Sequence, residues 1–255
     1  MKIIDKLQEN KIHISFEIFP PKTDAGIEAV LSATEQIAKL APAFISVTYG
    51  AGGGTSKNTV QIASDIQKKM GVTSLAHLTC ASSTKEEVLS VVDRLKAEGI
   101  ENILALRGDI PEGLEFPETD QYHYAYELIR EIKKQGDFCI GAACYPEGHV
   151  ENEHKEDDIA YLKQKVDCGV DFLTTQMFFD NAILYNFLYR IREKGITVPV
   201  TPGNHACHKQ QTDDKNLQII RNGSAAAVPC DLRPFRGEAG SDEAGGNRLC
   251  DRPDH

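Results

Sequence analysis

Two hydrophobic periods alternate along this chain. Short apolar runs at roughly 13–19, 44–50, 73–80, 102–109, 139–146 and 172–179 read as strands, and 198–203 begins a seventh. Phe44-Ile45-Ser46-Val47 and Ile103-Leu104-Ala105-Leu106 are nearly continuous apolar runs, as parallel strands covered on both faces require. Between them the helical period takes over, in Ile27, Val30, Leu31, Thr34, Ile37 and Ala38, and again in Val88, Val91, Val92 and Leu95. Thr84 and Glu87 give the second of these helices a capping-box start. Further helices are expected over 1–10 and 154–168. Each strand-like run ends in a polar residue, Glu17, Thr48, His77, Asp109, Tyr145 and Gln176, at steps of 31, 29, 32, 36 and 31 residues. A strand with its crossover helix takes about 30 residues. The repeat therefore predicts an α/β chain of the (β/α)8 TIM-barrel class, with its polar strand ends converging on one mouth.

Composition narrows the partners. Apolar residues make up 41% of the 255 positions and charged residues 26%, an ordinary globular balance. A formal charge of −10 argues against a nucleic-acid surface, which needs basic patches. No run of about 18 apolar residues offers a membrane span, and 1–10 lacks the apolar centre of a signal peptide. The expected setting is cytoplasmic, with small molecules as partners. Seven cysteines without a C-x-x-C pair suit reduced thiols better than a disulfide framework.

Each strand end carries a chemical reading and a plainer one. Glu17 lies in Ser15-Phe16-Glu17-Ile18-Phe19-Pro20-Pro21, where apolar neighbours would desolvate the carboxyl and suit it to general-acid work; the alternative is a Glu neutralised by a buried Arg. Thr48-Tyr49-Gly50-Ala51-Gly52-Gly53-Gly54 leads into a helix at Thr55, so its backbone N–H groups can approach a phosphate, although glycines also make ordinary βα turns. His77 inside an apolar strand is by itself more often a satisfied core residue than a ligand. Arg107-Gly108-Asp109 can grip a polar ring or a diphosphate, or can simply close the mouth as an ion pair. Tyr145-Pro146-Glu147 and Thr174-Thr175-Gln176 add hydrogen-bonding groups. Asp158 and Lys165 lie two turns apart on one helix face, a pattern that a solvated stripe also produces.

Taken in order, Phe16-Glu17-Ile18-Phe19-Pro20-Pro21-Lys22, Ser46-Val47-Thr48-Tyr49-Gly50, His77-Leu78-Thr79-Cys80, Ala105-Leu106-Arg107-Gly108-Asp109, Tyr145-Pro146-Glu147-Gly148-His149 and Thr175-Gln176-Met177-Phe178-Phe179-Asp180 resemble the motifs of bacterial methylenetetrahydrofolate reductases. The resemblance implies an FAD-dependent TIM barrel that passes a hydride from NADH, or less often NADPH, to 5,10-methylenetetrahydrofolate. On that resemblance Glu17 matches the general acid and Asp109 a carboxylate beside flavin and pterin. Gln176 matches a folate contact. The implied FAD contacts are Thr48, His77, Arg107, Gly108, Asp109, Tyr124, Ala125, Tyr145, His149, Asp158 and Lys165. Tyr161 and Gln164 stand where some members carry Asn and Arg, which removes one charge near the FAD phosphates. The resemblance also implies a homo-oligomer. A Schiff-base aldolase is disfavoured because none of the six strand ends carries a Lys.

The likeness stops near Gly203, so 1–203 reads as the barrel domain, about six and a half βα units, with the last strand-helix unit missing. From 204 to 255 only seven of 52 residues are Val, Ile, Leu or Phe, and the stretch reads as an aberrant, disordered tail. Codons able to encode 204–215 can, one base later, encode Ile-Met-Pro-Val-Thr-Asn-Ser-Lys-Gln-Met-Thr, so a frame change near the codon for Gly203 is expected. His205, Cys207 and His208 cluster, but Cys230 and Cys250 stand too far off to complete tetrahedral zinc, and no metal is expected. The enzyme reading therefore has a rival from another class, a non-catalytic remnant with partial flavin or folate affinity.

Overall fold

The computed structural model describes residues 1–21, 24–49, 56–81, 83–110, 120–149 and 155–204. The glycine-rich turn at 50–54 and the tail beyond 204, with His205, Cys207, His208, Cys230 and Cys250, lie outside the described residues.

Seven parallel strands form one sheet whose spatial order is the chain order: β1 (Ser15–Ile18), β2 (Phe44–Val47), β3 (Ser74–Thr79), β4 (Asn102–Leu106), β5 (Cys139–Cys144), β6 (Phe172–Thr175) and β7 (Val200–Thr201). Helices α1 (Ile3–Leu7), α2 (Ile27–Ala38), α3 (Ser56–Lys68), α4 (Lys85–Ala97), α5 (Ala125–Gln135), α6 (Lys155–Asp167) and α7 (Asn181–Glu193) alternate with them. A doubly wound sheet reverses its strand order once; this one never does, which is the arrangement of an incomplete (β/α)8 barrel. Among the described residues β1 pairs only with β2, and β7 only with β6.

Period-2 alternation sorts the strand residues into two cores. Ile45, Val47, Ala76, Leu78, Ile103, Ala105, Ile140, Ala142 and Leu173 face the helices and pack with Val92, Leu128, Ile159 and Phe187. The opposite set, Phe44, Leu75, Leu104, Cys139 and Phe172, fills the barrel's lower interior, with Ile3 of α1 plugging it from below. That plug is held by polar bonds as well. Ile3 N–H donates to Asn102 Oδ1 at 2.8 Å, and Asn102 Nδ2 reaches the carbonyls of Met1 and Ser74, each at 3.2 Å.

The strands are shorter than the hydrophobic runs suggest. Thr48, Asp109, Tyr145 and Gln176 lie just beyond their strands, whereas Glu17 and His77 lie within theirs. The runs continue past the ladders into turns where Cys80 is buried but Phe19 and Phe179 are exposed, so an apolar run does not by itself mark where a ladder stops. The expected 1–10 helix shrinks to Ile3–Leu7, the turn that buries Ile3. The capping box of α4 forms as the spacing predicts, with Glu87 N–H donating to Thr84 Oγ1 at 3.2 Å and Thr84 N–H to Glu87 Oε2 at 2.8 Å.

Candidate functional site

The inner parity that places Phe44, Leu75 and Phe172 at the barrel floor places Ser46, His77 and Gln176 above them. Glu17 joins this inner set because Ile18 packs in the outer core. Register does the rest. Glu17 pairs with Ser46 across β1 and β2, and the Ser46 hydroxyl donates to Glu17 Oε2 at 3.3 Å. His77, with its side chain only 7% exposed, brings Nε2 to 3.6 Å from the same oxygen, beyond hydrogen-bond length, and Nε2 has no hydrogen-bond partner. Burial holds the imidazole down at about 4, so near neutral pH this is a neutral ring beside a carboxyl and not an ion pair. Burial raises the Glu17 pKa, with the Ser46 hydroxyl pulling the other way. The raised pKa coexists with a side chain 46% exposed, because one side of the carboxyl rests on the barrel wall and the other faces the open mouth. The plainer expectation, a Glu neutralised by a buried Arg, is not what β1 builds.

A second cluster forms at the ends of β4 and β5. Gly108, at φ +85°, turns the chain out of the β4 alternation, and an added Cβ would stand 2.9 Å from Thr79 Cβ, so glycine is required there. The Arg107 carbonyl accepts the N–H groups of Cys80 and Ala81, at 3.1 and 2.8 Å, tying the β3 loop to this turn. Arg107 and Asp109 act electrostatically on the Tyr145 hydroxyl, whose pKa burial raises. Tyr145 meets the His149 ring edge-on at 4.7 Å, and His149 N–H donates to Asp158 Oδ2 at 2.6 Å.

The plainer alternative for Asp158 and Lys165, a solvated stripe, is not what α6 builds. Lys165 Nζ turns inward to the Ala143 carbonyl at 2.7 Å, and burial lowers its pKa. Both α6 side chains therefore serve the β5 wall. At the rim, Tyr124 stands at the N-cap position of α5 ahead of Ala125 and stacks on Tyr126 at 5.8 Å, and the residue is 55% exposed. Thr48 is anchored by its backbone, with its N–H on the Ile18 carbonyl at 3.0 Å and its own carbonyl accepting the Thr59 hydroxyl, also at 3.0 Å. The Gln176 backbone N–H donates to the Cys144 carbonyl at 2.8 Å, and its side-chain oxygen accepts Met177 N–H at 2.9 Å.

Ser46 is the site residue that sequence reading passed over; only the pairing of β1 with β2 puts it beside Glu17. The donor set suits a flavin dinucleotide: guanidinium and ammonium groups for a diphosphate, exposed and half-buried aromatic rings, and backbone made accessible by Gly108. Cys80 and Cys144 are pushed up to about 12 by burial, which leaves them inert as nucleophiles. Among the described residues no three His, Cys, Asp or Glu side chains gather as a metal site, and no helix is long and apolar enough to cross a membrane.

Comparison with known proteins gives one family. Residues 2–231 match the family described as methylenetetrahydrofolate reductase, a match that runs into the tail. The chain is 37% identical over 216 residues to the 5,10-methylenetetrahydrofolate reductase of Escherichia coli, covering 83% of this chain and 72% of that protein. It is 37% identical over 220 residues to methylenetetrahydrofolate reductase (NADH) 1 of Arabidopsis thaliana, covering 80% of this chain but only 37% of that protein. The chain thus spans little more than a third of the plant relatives it matches. Among solved structures, a Clostridium thermocellum protein described as binding two copies of 5-methyl-5,6,7,8-tetrahydrofolic acid superposes with a TM-score of 0.56 at 15% identity, over 85% of this chain and 74% of that one. A 2,3-dimethylmalate lyase gives 0.54 at 10%, over 88% and 79%. At such identities these two structures speak to the fold alone.

Proposed function

The chain belongs to the methylenetetrahydrofolate reductase family, and from that premise we propose that it reduces 5,10-methylenetetrahydrofolate to 5-methyltetrahydrofolate with a nicotinamide reductant through bound FAD. The observation that best supports this is Glu17, an inward carboxyl whose burial favours the protonated form, standing where the folate would enter. A carboxylic acid whose protonated form burial favours can give its proton to the bridging nitrogen of the folate's five-membered ring. The C–N bond then breaks toward the nitrogen, leaving a methylene iminium ready for hydride.

Bound FAD supplies the hydride chemistry that links nicotinamide oxidation to folate reduction. In this reading Arg107 and Lys165 balance the charge of the FAD diphosphate. Thr48, His77, Gly108, Tyr124, Ala125, Tyr145, His149 and Asp158 line its binding groove. Asp109 accepts N–H groups from the pterin edge, and Gln176, whose amide NH2 is left by its bond to Met177, donates to the folate. The names of the plant relatives specify NADH, and NADH is the reductant we assign.

A second reading, a non-catalytic remnant with residual flavin or folate affinity, is favoured by one observation: β1 and β7 each lack an outer partner among the described residues. A parallel barrel closes only when its last strand meets its first. The experiment that separates the two is purification of the full chain with excess FAD, followed by assay of NADH oxidation with a quinone acceptor and of folate turnover. The reductase reading expects a yellow protein active in both assays. Glu17→Gln should keep the quinone reaction while folate turnover falls by about 100-fold or more. Failure to retain flavin, or undiminished folate turnover in Glu17→Gln, would rule this reading out.

A further inference from the structure

Glu17 shares its oxygen with a neighbour whose role as a flavin contact does not account for its geometry. His77 Nε2 is buried, has no hydrogen-bond partner, and faces Glu17 Oε2 across 3.6 Å. The strands beside it bring no competing acid. His77 pairs with Leu104 on β4, and on β2 the inner residues nearest it are Ser46 and Thr48. The charges of the far wall act elsewhere, Arg107, Asp109 and Asp158 on Tyr145, and Lys165 on Asp158 and Cys144. Among the described residues Glu17 is thus the ionisable group at His77.

Resting on the reductase reading, we propose that His77 is a positioning residue for Glu17: its Nε2 accepts the hydrogen of the protonated carboxyl, so that the two side chains hold one proton between them. Closing the gap from 3.6 Å to hydrogen-bond length needs only a small rotation of the glutamate. The ionised alternative requires the other tautomer, with Nε2–H donating to the Glu17 carboxylate, and burial of the carboxyl disfavours that charge. The Ser46 hydroxyl donates to the same Oε2 and fixes the carboxyl plane. When the folate nitrogen takes the proton, Glu17 is left as a carboxylate beside neutral His77. The least stable member of the pair then exists only after the proton has gone, and one proton from solvent restores the start. Two groups that share one proton titrate as a pair and not as either residue.

The test is NMR titration of the full chain, without added cofactor, labelled at histidine ring nitrogens and glutamate side-chain carboxyl carbons. It compares wild type, His77→Gln and Glu17→Gln. The glutamine amide can donate to a carboxylate, so the Glu17 midpoint in His77→Gln should fall by about one pH unit. In Glu17→Gln the His77 Nε2 resonance should lose its second inflection. Unchanged titrations in both variants would overturn the proposal. If His77→Gln does not fold, the His77 signal in Glu17→Gln decides alone, because that exposed side chain can be replaced without opening the core. With FAD added, the pH limit of the folate half-reaction should shift with the Glu17 midpoint while the NADH half-reaction does not. Coupled titrations in a protein without folate turnover would support the pair and defeat the reductase reading, so the two fail separately.

Discussion

At the scale of single residues, the site rests on two pKa shifts of opposite sign. Burial raises Glu17 above its ordinary 4.5, so folding favours its proton. That contribution is whole below the unfolded pKa and is lost as pH rises through the folded one. His77 is lowered from 6.5 to about 4, and its contribution is present above 6.5 and lost as pH falls toward 4. Glu17→Gln cannot ionise, so it should melt above wild type at pH 8 and level with it at pH 4. The gap should be about 1–3 °C, small because the carboxyl is 46% exposed, and scanning calorimetry at the two pH values checks it. Glu17, Asp109 and Gln176 could be picked from the chain because each ends or interrupts an apolar run. Ser46 could not, because a serine between Ile45 and Val47 has no local mark of function. The helical pattern puts Lys165 on α6, but whether a lysine points to water or to a neighbouring carbonyl depends on how that helix is rolled against the sheet.

Among the elements, the barrel floor is where packing is least forgiving. Gly141 lies on β5 between two large side chains, and an added Cβ would come within 2.6 Å of Phe172 Cζ and 2.9 Å of Leu104 Cδ1. Phe172 is fully buried and tilts against Phe44 at 6.5 Å, so it has no space to retreat into. Gly141→Ala should lose about 1–3 kcal/mol, read as a lower urea midpoint at unchanged slope. Helix α1 depends on β4 in a different currency. Asn102, fully buried, is the residue that satisfies Ile3 N–H and the Ser74 carbonyl. Replacing it with Ala should lose about 1–3 kcal/mol and speed proteolysis of the first ten residues, visible by mass spectrometry. Helix positions were readable in advance where a stripe of Val and Leu met a capping box, as in α4. The ends of strands were not, since apolar residues such as Ile14, Phe19 and Phe179 extend the runs past the ladders while facing solvent.

For the whole molecule the governing feature is a sheet with two outer edges among the described residues. Beside β1, Ile14 is 63% exposed and Ile12 is 93% exposed, an apolar border on a strand paired on one side only among the described residues. Edges of this kind recruit other chains. Ile14→Lys should reduce light scattering on warming without lowering the melting temperature, because the replaced side chain already faces solvent; unchanged scattering would count against the edge as the source. The frame change we propose near the codon for Gly203 is checked by the nucleotide sequence there: an uninterrupted frame encoding the tail as written would refute it.

Strand and helix order, the barrel class and the family are all decided along the chain, because they follow from periods of two and 3.6 residues and from motifs a few residues long. These are properties of neighbouring positions. The meeting of Glu17, Ser46 and His77, the burial of Lys165 and the plugging of the floor by Ile3 are decided only in three dimensions. Each depends on which residue lies opposite which across strands some 30 positions apart, or on how a helix is turned against the sheet. A one-residue slip in that register would reverse every side chain, and no local pattern records it.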